Sequence, residues 1–178
     1  MWVWYPFLSV HSLNFTTQLS ALHTPIVKRL IAKVFGTGLG TGYLRYATGT
    51  FGSMLAVLLY WAVPKLSEPV VLAGAIVAGL AIGVWATSIL EEEYGHDPKE
   101  ATIDEVVGQW IALLFLPKTI LTTGLAFALF RLFDVIKPEP AHRLQKLPKG
   151  WGVMMDDVMA GMYANLACHI LLWLFSKP

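Results

Sequence analysis

The run VVLAGAIVAGLAIGVWATSIL, residues 70–90, holds twenty-one residues without a formal charge. As an α-helix it would extend roughly 30 Å, the thickness of the hydrocarbon core of a bilayer. Gly74, Gly79 and Gly83 offer small surfaces inside it, which suit close helix packing in lipid. The remainder of the chain is consistent with that environment. Only 14% of its 178 residues are charged and 56% are hydrophobic, whereas a soluble domain carries about 25% charged residues. An integral membrane protein of one compact domain is the class these values support. The net charge of +1 gives no reason to expect a nucleic-acid partner, and the single cysteine, Cys168, excludes an internal disulfide.

Further helices follow from the same pattern. Tyr46 to Pro64 is also uncharged, and the segment between Pro64 and Pro69 reads as a turn. The apolar run from Val106 to Phe130 is interrupted by Pro117-Lys118, which predicts two short helices joined by a tight turn. A last helix is expected to follow Asp156 and Asp157 and to run to about Phe175. At the other end, MWVWYPFLSVHSLNF lacks a basic start and a small-residue cleavage site, so it reads as an aromatic arm at the membrane interface, not a signal peptide. TPIVKRLIAKVF (24–35) reads as a short amphipathic helix, with Lys28, Arg29 and Lys33 available to anionic headgroups. The expected fold is therefore all-α: a compact helical integral membrane protein with about four to five transmembrane or half-spanning helices and an amphipathic N-terminal helix. Residues 1–30 form an N-terminal interfacial extension and 31–178 the membrane domain.

Helices in this order alternate between two faces. One face receives residues up to 45, 91–105 and 131–157, and it collects ten of the thirteen basic residues, leaving Lys65, Lys118 and Lys177 on the other. The positive-inside rule places the ten-residue face in the cytoplasm. Eleven of the twelve acids lie there too, Glu68 being the exception. The chemistry is concentrated on one side.

Four stretches converge on that side. ATGTFGSM (47–54) opens a helix with Gly49, Thr50, Gly52 and Ser53, residues that leave backbone N–H groups open to an anion such as phosphate. HDPKEATIDEVVGQW (96–110) places Asp104 and Glu105 at the start of an apolar helix, with Gly108 one turn after Asp104. FRLFDVIKPEP (130–140) puts Arg131 and Asp134 three apart on one helix face, ended by Lys137-Pro138. GWGVMMDDVMAG (150–161) carries Asp156 and Asp157 between a glycine pair and Gly161. Singly, each stretch has an ordinary explanation: capping, an ion pair, tight packing. Together they bring carboxylates from three helix ends to one membrane face. Crowded unpaired carboxylates repel one another, and a hard divalent cation such as Mg²⁺, partnered by phosphate, removes the conflict. A metal-dependent site acting on a phosphorylated substrate is what the residues themselves support.

The blocks GTFGS, IDEVVG, FRLFDVIKPEP and GWGVMMDDVMAG, in this order and spacing, resemble the signature blocks of the phosphatidylglycerophosphatase A family. The resemblance covers roughly residues 33 to 175. Ahead of the glycine-threonine block, where the family often has prolines, this chain reads YLRYATGT. The resemblance implies a Mg²⁺-dependent phosphatase of the bacterial inner membrane that converts phosphatidylglycerophosphate to phosphatidylglycerol. It makes Asp104, Glu105, Asp134, Asp156 and Asp157 candidate metal ligands or acid/base groups. It makes Thr50, Gly52, Ser53, Arg131 and Lys137 candidate phosphate contacts.

Other phosphatase chemistries find no support. Cys168 lies within the last apolar helix without the arginine loop of a thiol phosphatase, no D-x-D-x-T occurs, and no histidine has the company of a phosphohistidine enzyme. Attack by water, assisted by metal and carboxylate, is the expected route. The reading from another class is a divalent-cation channel or carrier, since intramembrane acids mark ion pathways. Against it, the acids cluster at one face and none lies mid-span.

Overall fold

The computed structural model describes residues 25–175, all of whose regular elements are helical. The aromatic arm expected at the N-terminus lies outside the described residues. Seven α-helices follow in order: α1 Ile26–Gly36, α2 Thr48–Ala62, α3 Pro69–Tyr94, α4 Ile103–Leu113, α5 Ile120–Ile136, α6 Ala141–Leu144 and α7 Gly150–Phe175. Single turns of 3₁₀ helix occupy Thr41–Tyr43 and Pro64–Ser67.

Helices α3 and α7, at 26 residues each, are the two among the described residues that are long and apolar enough to cross a bilayer. Each extends about 39 Å. Their outer faces carry large exposed apolar side chains, among them Val70, Val77 and Trp85 on α3 and Leu166, Ile170 and Trp173 on α7. Continuous apolar surface of this kind needs a nonaqueous neighbour, and it supports association with a membrane. The apolar α2 is shorter, at 15 residues.

The organising element is the short helix α4. Eight of its eleven residues are buried, and it packs against α2, α3, α5 and α7. Its walls meet at small residues. A Cβ at Gly79 of α3 would lie 2.9 Å from Val107, and one at Gly83 would collide with Met154. Gly74, by contrast, has open space around it, so two of the three glycines of the apolar run serve packing. Below the first turn of α4 the core is formed by Tyr60, Leu72, Leu113, Ala126, Phe130, Ala160 and Ala164.

The break at Pro117-Lys118 falls between α4 and α5 as expected. Thr119 ends the turn by capping α5, its Oγ1 accepting from the Thr122 N–H at 3.1 Å. Lys118 is tied down: its Nζ donates to the Tyr60 carbonyl at 2.9 Å and lies over the Tyr60 and Trp61 rings. Helix α1 forms where the amphipathic pattern placed it. Lys33 does not stand free for headgroups, however; its Nζ lies 2.6 Å from Glu93 at the end of α3, and that hydrogen bond, outweighing burial, raises its pKa above the usual lysine value.

One boundary differs from expectation. The last helix does not follow the paired aspartates but starts six residues before them, at Gly150. Gly150 and Gly152 are buried, the first against the Val84 carbonyl and Thr87, the second against the Gln145 and Leu147 carbonyls. These glycines are there because the first turn of α7 runs against other backbone. Asp156 and Asp157 accordingly sit in the second turn, pointing inward, and cap nothing.

Candidate functional site

Two glycines set the geometry. A Cβ at Gly161 on α7 would overlap the Gly108 carbonyl on α4, and one at Gly108 would meet the Asp157 carbonyl. The two helices therefore cross with backbone against backbone. One turn before Gly108 stands Asp104, and one turn before Gly161 stands Asp157. Because residues four apart share a helix face, the crossing brings these two carboxylates together.

Glu105 joins them from the next position on α4. A side chain at Gly49, in the first turn of α2, would overlap Glu105 Oε1 and approach the Arg131 guanidinium to 3.0 Å. Gly52 packs one turn further along, its Cβ position 2.9 Å from the Thr102 carbonyl and 3.2 Å from Glu105 Cβ. Asp104, Glu105 and Asp157 each present a carboxylate oxygen within 4.8 Å of the others. Asp104 Oδ1, Glu105 Oε2 and Asp157 Oδ2 are buried without a hydrogen-bond partner. Like charges at that separation cost roughly 3.5 kcal/mol per pair at an effective dielectric of about 20. The donor set, oxygen only and anionic, fits a hard cation, and the trio can hold a metal ion.

The remaining acids are already partnered. Asp134 Oδ2 lies 2.9 Å from Arg131 Nη1 and is also a charged neighbour of Asp157. Asp156 Oδ2 accepts from Lys137 Nζ at 2.6 Å, and its other oxygen accepts the Asp157 N–H at 3.0 Å. Burial disfavours the Lys137 ammonium, but the Asp156 hydrogen bond and the nearby carboxylates more than compensate, so its pKa stands above the ordinary lysine value. Lys137 occupies the C-cap of α5 with positive φ, which turns its side chain back over the site.

The expected phosphate contacts separate into two groups. Arg131, Ser53 and Lys137 border the carboxylates: Arg131 Nη1 reaches Ser53 Oγ at 3.5 Å, and Ser53 donates to the Gly49 carbonyl at 3.0 Å. Thr50 instead faces away, into an apolar groove between α2 and α5. Gly52 serves the approach of α2 to α4. Gln109, one turn after Glu105, was not singled out in the sequence; it is fully buried with neither amide atom bonded. The signal for it was a glutamine four residues from an acid inside an apolar helix.

The profile of the Phosphatidylglycerophosphatase A family matches residues 34–172. A Haemophilus influenzae protein named Phosphatidylglycerophosphatase A is 33% identical over 134 residues, covering 74% of this chain and 82% of that protein. A Bacteroides thetaiotaomicron protein, provisionally named a phosphatidylinositol-3-phosphatase, is 37% identical over 147 residues, 79% of this chain and 92% of its own. No solved structure matches the chain. The carboxylate trio at the α4–α7 crossing lies within the matched span, and the chain belongs to the phosphatidylglycerophosphatase A family of lipid phosphatases.

Proposed function

We propose that this protein hydrolyses phosphatidylglycerophosphate to phosphatidylglycerol and phosphate in a Mg²⁺-dependent reaction at the cytoplasmic face of a bacterial inner membrane. The observation that carries the reading is the trio of buried, unbonded carboxylate oxygens on Asp104, Glu105 and Asp157. These residues would hold the ion, which supplies Lewis-acid polarisation of the phosphoryl group and a lowered pKa for the attacking water.

The other residues position the ester. Arg131, fixed by Asp134, presents a guanidinium beside Gly49 and Ser53, where it would neutralise charge on the phosphoryl oxygens. Lys137, fixed by Asp156, offers a second cation at the rim. A carboxylate of the trio close to the scissile phosphate would take the proton of the attacking water.

The Bacteroides relative supports a second substrate, a phosphoinositide carrying a 3-phosphate. Both substrates present a terminal phosphomonoester on a glycerophospholipid headgroup, which is the shared chemistry. Purified protein in detergent, offered phosphatidylglycerophosphate, phosphatidylinositol 3-phosphate, phosphatidic acid and glycerol 3-phosphate, with and without Mg²⁺, separates the readings. Phosphate release from phosphatidylglycerophosphate fastest, and only with the ion, is expected. Equal release with excess chelator would refute the metal role, and preference for the phosphoinositide would reassign the substrate.

A further inference from the structure

A groove of about 600 Å³ runs between α2 and α5, walled by Thr50, Met54 and Val57 on one side and Gly124 and Phe127 on the other. Its two walls lead to the same place. On α2, Thr50 follows Gly49, whose Cβ position abuts Glu105 and Arg131. On α5, residues 120, 124 and 127 form a stripe at helical spacing whose next member is Arg131. The near end of the groove, at Thr50 and Phe127, is therefore one residue along α2 from the position that abuts Glu105 and one turn along α5 from Arg131. It ends at Trp61 and Ile120, with Lys118 packed over the Trp61 ring.

Its length follows from the helix. Eleven residues separate Thr50 from Trp61, about 16 Å of axial rise. An extended chain advances about 1.2 Å per bond, so an alkyl chain of roughly thirteen carbons fills it. The wall is apolar apart from two threonine hydroxyls. A second apolar recess, on the other flank of α2 beside Leu55, Ala78 and Val107, has no charged or hydroxyl residue in its lining.

We infer that the α2–α5 groove is the acyl-chain subsite of the enzyme: one fatty-acyl tail of the phospholipid lies in it while the phosphomonoester occupies the carboxylate site. This deepens the phosphatase reading and rests on it. Gly124 is the contact that makes room. A Cβ there meets nothing within 4 Å, so a side chain added at this position leaves the helix into open space at the groove wall.

The test compares two substrates with one headgroup, phosphatidylglycerophosphate with sixteen-carbon and with four-carbon acyl chains, on the full-length protein in detergent. Gly124→Phe blocks the groove from α5 and Val57→Trp from α2; thermal unfolding identifies the folded variants. In each, the ratio of kcat/KM for the long-chain to the short-chain substrate should fall at least tenfold. A ratio within twofold of the wild type in either folded variant overturns the inference and makes the groove ordinary lipid-facing surface. Wild-type protein that releases phosphate from neither substrate overturns the phosphatase reading, and the subsite with it. Normal release from both, with unchanged ratios, overturns the subsite alone.

Discussion

Lys137 Nζ lies 2.6 Å from Asp156 Oδ2, and this contact divides two aspartates that are neighbours in sequence. Asp156 is neutralised by a lysine nineteen residues away. Asp157, turned about 100° around the helix, keeps a buried unbonded oxygen and brings its carboxylate within 4.8 Å of those of Asp104 and Glu105. Two identical residues thus have different chemistry available to them.

The division gives unequal expectations for the same substitution. Asp157→Asn removes a charged ligand that an amide does not replace, and about 4 kcal/mol of lost transition-state stabilisation is roughly a thousandfold in rate. Asp156→Asn leaves the trio intact and frees Lys137, which costs about a tenfold loss, and Lys137→Met should match it. No helix cap is lost in either case, because α7 begins at Gly150. Initial rates on phosphatidylglycerophosphate decide the matter; equal loss in both asparagine variants would contradict the division.

Much of this arrangement was legible in the sequence where the signal is local. Pro117-Lys118 breaks a helix by its missing N–H, Asp104 and Glu105 head an apolar periodicity, and Arg131 and Asp134 share a face at i, i+3; all stand as read. The start of α7 was not legible. GWG resembles a loop, and only packing against Val84, Gln145 and Leu147 shows why glycines belong inside that helix. Nor could spacing alone pair Lys137 with Asp156 or Lys33 with Glu93, since those contacts depend on how separate helices pack. Thr50 and Ser53 are both expected at a phosphate from the sequence, but Thr50 lines the groove between α2 and α5 whereas Ser53 Oγ lies 3.5 Å from Arg131 Nη1. Which neighbour each meets depends on how the helices pack, which their spacing does not give.

Two glycine-to-alanine changes separate helix propensity from close approach. In either helix interior, alanine is intrinsically better than glycine by about 1 kcal/mol. At Gly74 the added carbon meets nothing, so Gly74→Ala should raise thermal stability with unchanged activity. At Gly161 it meets the Gly108 carbonyl, so Gly161→Ala must push α7 from α4. Loss of stability and at least a hundredfold loss of turnover are expected there. Melting temperatures and rates measured on the pair test this, and a fully active Gly161→Ala protein would mean that the α4–α7 crossing does not set the site.

The asymmetry of basic residues gives a topology that labelling can read. Lys146 is exposed beyond α5, and Glu68 is exposed at the start of α3. The native Cys168 is fully buried, so it contributes little background. In intact cells, a membrane-impermeant thiol reagent should modify Glu68→Cys from outside. It should reach Lys146→Cys only after the membrane is opened. The reverse pattern would place the carboxylate face outside the cytoplasm.

The last expectation concerns stability rather than rate, and so reads the metal site independently of turnover. Three carboxylates that come within 4.8 Å of one another, each with one buried unbonded oxygen, oppose one another when no cation is bound. An ion that binds only the folded protein stabilises it by about 2.7 kcal/mol at a hundred times its Kd, which for a chain of this size is roughly 5–10 °C in melting temperature. Wild-type protein should therefore melt higher in Mg²⁺ than in chelator. Asp157→Asn removes one of the repelling charges, so in chelator it should melt above the wild type, and Mg²⁺ should shift it little. Asp156→Asn should keep the Mg²⁺ response, because its carboxylate is held by Lys137 and not by the trio. A wild-type melting temperature indifferent to Mg²⁺, together with an Asp157→Asn protein no more stable in chelator, would leave the trio as a strained acidic cluster without an ion.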